Sequence, residues 1–137
     1  MSEAVPPALR ALVRERAKGR CEYCLLHEDD AWVSHEPDHI IATKHRGRTD
    51  EANLAWTCLT CNRHKGTDVA SIDENTGRVV RLFHPRRDRW ARHFRLRGAL
   101  LVGRTAVGRV TVPLLQFNRE DRVRMRRTLI AAGCYPR

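Results

Sequence analysis

Hydrophobic positions near the start of the chain repeat at helical spacing. Leu9, Leu12 and Val13 recur three and four residues apart, which is the period of an amphipathic helix. A pair of prolines precedes this stretch and Gly19 follows it; proline suits a first helical turn and glycine suits a C-terminal cap. The pattern therefore predicts a helix over residues 8–18.

The patterns further along the chain are shorter and mix strand and helix signals. The predicted elements are an irregular hairpin formed by 31–34 and 39–41, a basic loop over 44–50, a short helix over 62–66, strands over 78–82 and 99–102, a helical turn over 88–94, and a helix over 105–117 that kinks or restarts at Pro113. Trp90 and Phe94 lie four residues apart in the helical turn, so we expect them to pack in a core rather than stack on bases.

The last periodic segment predicts a helix that starts at an N-terminal cap on Asn118 and ends at Gly133. Glu120 and Asp121 lie in its first turn, where acidic side chains complement the helix dipole. We expect three apolar side chains inside, Val123, Leu129 and Ile130, and four arginines largely outside, Arg122, Arg124, Arg126 and Arg127. The fold class predicted from these segments is α+β.

Composition and charge restrict the classes of function that the chain can have. The 137 residues suit one domain, or a small core with an appendage, and the 42% hydrophobic content supports a modest core. The net charge is +10, and residues 78–137 hold 16 arginines against three acids, which favours an acidic partner such as nucleic acid. Apolar runs fall short of the ~20 residues that a membrane span needs. The N-terminus lacks signal-peptide features, so we expect a cytoplasmic protein with no membrane contact.

Four of the five cysteines form two C-x2-C pairs, and the fifth, Cys134, stands alone near the end of the chain. The paired cysteines are Cys21, Cys24, Cys58 and Cys61. In a chain without an export signal, this pattern favours a metal site over disulfides. Two such knuckles supply the four thiolates of a closed tetrahedral site, so the sequence predicts one structural Zn²⁺.

Polar residues between and beside these pairs complete a composite motif. Its parts, in chain order, are the Cys21–Cys24 knuckle, Asp38-His39, Asn53-Leu54, and the Cys58–Cys61 knuckle followed by Asn62. The composite resembles the HNH endonuclease family in its version with zinc knuckles, over roughly residues 8–70. The resemblance implies a ββα-metal, treble-clef-like core (1–70). We expect an N-terminal helix in front of it and a basic α/β extension (71–137) packed on it.

The resemblance also implies a role for each polar residue. His39 would be the general base that deprotonates water, and Asn53 would fix the His39 ring or its loop. Asp38 and Asn62 would hold one catalytic divalent ion. Some relatives place a further histidine ligand where this chain has Gly66. An oxygen pair completed by water and phosphate suits Mg²⁺ or Mn²⁺.

The expected partner of this core is DNA. The residues expected to bind the nucleic acid are Lys44, His45, Arg46 and Arg48 in the basic loop, with Lys65 as a phosphate clamp on the short helix. The sequence thus predicts a metal-dependent endonuclease or nickase. Two alternatives stay open: a catalytically silent treble-clef zinc module that binds nucleic acid, and an RNA substrate, since both polymers present phosphates. The sequence gives no oligomeric state.

Overall fold

The computed structural model describes residues 4–137, so the first three residues of the N-terminus, on which the localisation prediction partly rests, lie outside it. Five α-helices are present in the described chain: α1 (Pro7–Arg16), α2 (Leu59–Lys65), α3 (Trp90–His93), α4 (Ala106–Leu114) and α5 (Glu120–Ala131). Six strands accompany them: β1 (Glu36–His39), β2 (Leu54–Thr57), β3 (Ala70–Ile72), β4 (Val79–Arg81), β5 (Phe94–Arg97) and β6 (Leu100–Gly103). They pair antiparallel as β1–β2, β3–β4 and β5–β6, which confirms the α+β class.

The β1–β2 pair followed by α2 forms a ββα unit. Asp38 lies opposite Ala55 and His39 lies opposite Leu54. The predicted hairpin between 31–34 and 39–41 is therefore wrong: β1 pairs with a later strand, beyond the 44–50 loop. All four residues of β2 are buried, whereas Trp32 is 95% exposed. Strand β2 forms backbone hydrogen bonds with β1 and is itself buried. Residues 31–34 provide no such buried partner for β1.

Helix α1 forms where the pattern predicted it and packs on β2. Its buried residue, Val13, lies in a small hydrophobic cluster with Ala17, Leu54 and Trp56. The cluster joins the N-terminal helix to the strand that leads into the second cysteine pair.

No helix among residues 4–137 combines the length and the apolar character that a bilayer crossing would need.

The main hydrophobic core is shared by both halves of the chain. It joins residues of the cysteine-rich segment, including Tyr23 and Ile40, to residues of the basic half, including Phe83, Phe94 and Phe117. The Trp90 and Phe94 rings lie 5.2 Å apart, centroid to centroid. Phe94 is buried and Trp90 packs against the same core, so the expectation of packing is confirmed.

Helix α5 differs from its sequence prediction in which side it buries. Arg126 is only 4% exposed and donates hydrogen bonds to the carbonyl oxygens of Ala99 and Phe117, both at 2.7 Å. The N-terminal cap is Arg119, while Asn118 instead bonds the backbone N–H and C=O of Leu101. The helix thus covers unpaired carbonyl groups, which a guanidinium satisfies and a leucine does not.

The predicted helix over 105–117 ends three residues early, and Pro113 lies in its last turn rather than at a restart. Thr105 caps it by accepting a hydrogen bond from the Gly108 N–H. Strand β5 had no predicted counterpart, although Phe94 and Leu96 alternate with Arg95 and Arg97 as in a half-buried strand. Strands β4 and β6 lie within one residue of the segments predicted for them.

Candidate nuclease site and zinc cluster

The two cysteine pairs meet in the interior. The four Sγ atoms of Cys21, Cys24, Cys58 and Cys61 all lie within 4.8 Å of one another, and all four residues are buried. The first pair lies in the turn after α1, and the second pair opens α2, where Cys58 is the N-terminal cap. This is the one group of three or more potential metal-ligating cysteines, histidines and acids found in residues 4–137.

The geometry of this cluster fits zinc. A tetrahedral site with Zn–S bonds of about 2.3 Å has S–S edges of about 3.8 Å, and the Cys24 and Cys58 sulfurs lie 3.7 Å apart. All five cysteines are free thiols. Burial raises the pKa of Cys21 and Cys61 well above the ordinary thiol value. Four thiolates in such a place therefore need a compensating cation, and Zn²⁺ supplies it.

The basic half of the chain braces the first cysteine pair. The Trp90 Nε1–H donates to the Tyr23 carbonyl oxygen at 2.8 Å, and the Tyr135 hydroxyl donates to the Cys24 carbonyl oxygen at 2.6 Å. Arg86 forms an ion pair with Glu22 in the same turn. These contacts join the 21–24 turn to segments more than sixty residues away.

Arg122 of α5 contacts the cysteine cluster directly. Its Nη2 lies 3.3 Å from the Cys61 sulfur and 3.8 Å from the Cys58 sulfur, and its Nη1 donates to the Leu115 carbonyl oxygen at 2.9 Å. Burial by itself lowers the pKa of Arg122, but the negative charge of the surrounding cysteines raises it overall. A Zn²⁺ ion held by four thiolates would carry a net charge of −2, which the half-buried Arg122 guanidinium would partly neutralise.

We expect Arg122→Met to weaken zinc retention without unfolding the protein, because methionine fills a similar volume but leaves the dianionic cluster without its half-buried cation. A loss of outer-shell hydrogen bonds typically costs about 10–100-fold in metal affinity. Competition with a chromogenic chelator measures the change. Arg124→Met, an exposed position on the same helix, is the matched control. Equal zinc affinity in the two variants would contradict this role.

His39 ends β1 and is 4% exposed. Its Nε2 is hydrogen-bonded to the Thr49 hydroxyl at 2.8 Å. If Nε2 carries the proton and donates it to the Thr49 oxygen, the ring keeps a lone pair on Nδ1. In that tautomer the ring is fixed through Nε2 and can accept a proton at Nδ1.

Asp38 precedes His39 and projects to the opposite face of the strand. Its Oδ2 lies 3.3 Å from the Lys65 Nζ. Burial raises the pKa of Asp38, and the nearby Lys65 ammonium opposes that shift. The charged form of a carboxylate that is shielded from water is stabilised by an adjacent cation, and here that cation is Lys65 of α2.

Lys65 is 2% exposed, which is uncommon for a lysine. Besides Asp38, its Nζ donates to the His39 carbonyl oxygen at 3.1 Å and to the Gly66 carbonyl oxygen at 3.4 Å. The side chain therefore ties the end of α2 to the end of β1. The phosphate clamp expected of it needs a surface lysine, and Lys65 does not lie on the surface.

Asn62 lies one helical turn before Lys65, so the two side chains leave α2 on neighbouring positions of one face. Because Lys65 reaches Asp38, this face of α2 is the one turned toward β1. The Asn62 amide is half-buried and has no hydrogen-bond partner among the described residues. Its oxygen is thus available to a ligand.

Asn53 closes the loop that follows His39. Its Nδ2 donates to the carbonyl oxygens of Ile41 and Arg48 at 2.9 and 2.8 Å, and its Oδ1 accepts from the Ile41 N–H at 2.9 Å. Gly47 makes this closure possible, because a Cβ there would lie 1.7 Å from the Ile41 carbonyl oxygen. Asn53 thus holds the loop through its backbone groups, and its amide is fully engaged there.

The loop closed by Asn53 presents the basic residues predicted to bind nucleic acid. Its four cationic or titratable side chains are Lys44, His45, Arg46 and Arg48. His45 Nε2 lies 3.2 Å from the Thr67 carbonyl oxygen, which links the loop to the segment after α2. Arg48 pairs with Asp50 at 3.5 Å while remaining 86% exposed. The loop is thus an exposed basic surface next to His39.

Residues 21–68 match the sequence model of the HNH endonuclease family. This segment is similar to HNH endonuclease domains, and we call it the HNH domain. The match covers both cysteine pairs and the whole ββα unit, and the clustered cysteines are those of the zinc-knuckle variant. No curated protein and no solved structure matches the chain.

The HNH domain indicates nuclease activity with a metal site and a nucleic acid as partner. Within it, Asp38 and His39 lie at the end of β1, and Asn62 lies on the same side of α2 as Lys65, which contacts Asp38. Sequence analysis missed Thr49 and Arg122 as contacts of this centre. No local signal identifies either residue, since one lies in a loop and the other belongs to a distant helix.

Proposed function

We propose that the protein is a divalent-metal-dependent HNH endonuclease or nickase that hydrolyses phosphodiester bonds of DNA. The observation that supports this most directly is the arrangement at the end of β1. A histidine fixed through one ring nitrogen follows a carboxylate in β1, and that carboxylate is paired with Lys65 of α2, the helix that also carries Asn62. A module that only binds nucleic acid needs no proton acceptor next to a pair of oxygen ligands.

In this proposal His39 is the general base. Thr49 holds Nε2 and orients the ring, and Nδ1 accepts the proton of the attacking water. Burial of the ring keeps it in a single position. Asn53 acts at a distance from the chemistry: it holds the 41–48 loop, so that the basic residues of that loop meet the DNA backbone close to His39.

Asp38 and Asn62 would hold the divalent ion. Both offer oxygen atoms, which Mg²⁺ and Mn²⁺ prefer. When bound, such an ion stabilises the negative charge that develops on the phosphate and the leaving oxygen. Lys65 keeps α2 in contact with β1, and it also brings a positive charge to Asp38 before the ion binds. One carboxylate and one amide beside an ammonium make a weak site, and therefore millimolar metal is the concentration to test.

The test is cleavage of supercoiled plasmid by purified zinc-loaded protein in Mg²⁺ or Mn²⁺. We expect conversion to the nicked or linear form, and no conversion when the divalent ion is omitted or chelated by EDTA. Zinc content measured after EDTA treatment shows whether the fold has kept its structural metal. Binding to DNA without cleavage in either ion would favour the catalytically silent module. A labelled RNA of the same sequence, assayed in parallel, distinguishes the two substrates.

A further inference from the structure

The β5–β6 hairpin carries a row of arginines on its outer face. Along β5, Phe94 is buried and Leu96 is half-buried, while Arg95 and Arg97 between and after them are exposed. Residues two apart on a strand project to the same face and lie about 6.6 Å apart along it. The two guanidinium groups therefore leave the hairpin side by side.

A third arginine extends this row backwards into α3. Trp90, His93 and Phe94 face the core, and Arg92 between them is exposed. We call Arg92, Arg95 and Arg97 the hairpin strip. The chain from residue 89 to residue 119 contains no aspartate or glutamate, and within the described chain no side chain of the strip forms an ion pair or a hydrogen bond.

Nine of the other thirteen arginines in residues 78–137 have side-chain partners in the described chain. Arg78, Arg87, Arg89 and Arg127 have none either, so the strip is distinguished by the regular placement of Arg95 and Arg97 on one strand. Arg81 pairs with Asp88, Arg109 pairs with Asp73, and Arg137 pairs with Asp30. Arg122 contacts cysteine sulfurs and Arg126 contacts carbonyl oxygens. Each of these charges is used within the fold. The three positive charges of the hairpin strip are not, so their mutual repulsion is left without internal compensation.

We propose that the hairpin strip binds the phosphate backbone of the nucleic acid on which the HNH domain acts. This inference rests on the proposed function, because that function supplies the polyanion. Arginines at regular spacing on a rigid hairpin, free of intramolecular acids, match the repeating charge of a nucleic-acid strand. Such contacts position the polymer without specifying its sequence. The strip would extend the contact surface beyond the 44–48 loop.

The experiment compares two triple substitutions that remove the same charge. Arg92→Gln, Arg95→Gln and Arg97→Gln remove the hairpin strip. Lys18→Gln, Arg78→Gln and Arg127→Gln remove three exposed positive charges that lie in three other segments of the chain. Both triples are made in the His39→Ala background so that the DNA stays intact. Affinity for a fluorescein-labelled duplex is measured by anisotropy over a range of salt concentrations, and thermal melts check the fold.

The slope of log affinity against log salt is negative, and each phosphate that is no longer neutralised reduces its magnitude by about 0.9. We therefore expect the hairpin triple to reduce the magnitude of the slope by up to about 2.7. The scattered triple should lower it by much less. Equal slopes in the two triples would show that only net charge matters and would overturn the proposal, as would a hairpin triple with the parental slope. Plasmid cleavage by the parent protein is scored separately. If the parent never cleaves DNA but the hairpin triple still reduces the salt dependence of binding, the proposed function is overturned and the proposal for the hairpin strip stands.

Discussion

Replacing His39 with alanine is expected to abolish cleavage while leaving the fold, the bound zinc and the DNA affinity nearly intact. The imidazole is held by the Thr49 hydroxyl, and it is the group proposed to create the nucleophile. Loss of a general base typically costs about 10²–10⁴ in rate. Single-turnover nicking of plasmid in Mg²⁺ measures the loss.

The matched control is His64→Ala. His64 lies on α2 within the same domain, but its Nε2 contacts Arg119 and not the end of β1. This variant should cut at nearly the parental rate. If His39→Ala cut at the parental rate instead, the assignment of roles would be wrong and the silent zinc module would be the better description.

Asp38→Ala and Asn62→Ala should fail in a different way from His39→Ala. They remove ligands and not the base, so activity should shift to higher Mg²⁺ concentration before it disappears. A metal titration of the nicking rate distinguishes the two classes of variant. Because Asp38 also holds Lys65, its loss disturbs the β1–α2 contact as well, and Asn62→Ala is the cleaner test of metal ligation.

Removal of the structural metal is the second change with a large expected effect. Purified protein should carry about one zinc per chain, and Cys58→Ser should unfold the HNH domain. Structural zinc sites bind with about 10–16 kcal/mol in small zinc domains, which equals or exceeds the whole stability of a typical domain. Elemental analysis gives the zinc content, and circular dichroism gives the unfolding transition.

Cys134→Ser is the control for this prediction. Cys134 is half-buried near the C-terminus and does not belong to the four-cysteine cluster. Its replacement should change neither zinc content nor melting temperature. A zinc-free native protein, or a Cys58→Ser variant as stable as the parent, would show that the cluster does not depend on a metal for its fold.

The local features of the chain could be predicted because each depends on neighbouring residues. The C-x2-C turns, the α1 pattern ended by Gly19 and the short helix ended by Gly66 are all encoded within a few positions. The same holds for the alternation that sends Asp38 and His39 to opposite faces of one strand. The zinc cluster follows from the knuckles as soon as the chain brings them together.

The predictions that were wrong concern segments whose surroundings are formed by residues distant in sequence. Residues 31–34 carry a strand-like pattern, yet β1 pairs with β2, since only β2 supplies a buried partner surface. On α5 the periodicity placed Arg122 and Arg126 in solvent. Arg126 is buried and Arg122 is half-buried, because carbonyl oxygens and cysteine sulfurs from other elements need a donor there. No hydrophobicity pattern records such acceptors.

What the sequence by itself determined is therefore the set of residues proposed for the site: four cysteines for a metal, and Asp38, His39 and Asn62 within the segment that matches the HNH family. What only the tertiary structure decided is which groups surround that chemistry. Lys65 changed from an expected surface clamp to a buried link between α2 and Asp38, and Arg122 reached the zinc cluster from a helix about sixty residues away. The physical reason is that a charge is buried only where opposite charges and acceptors converge, and those groups come from segments distant in sequence.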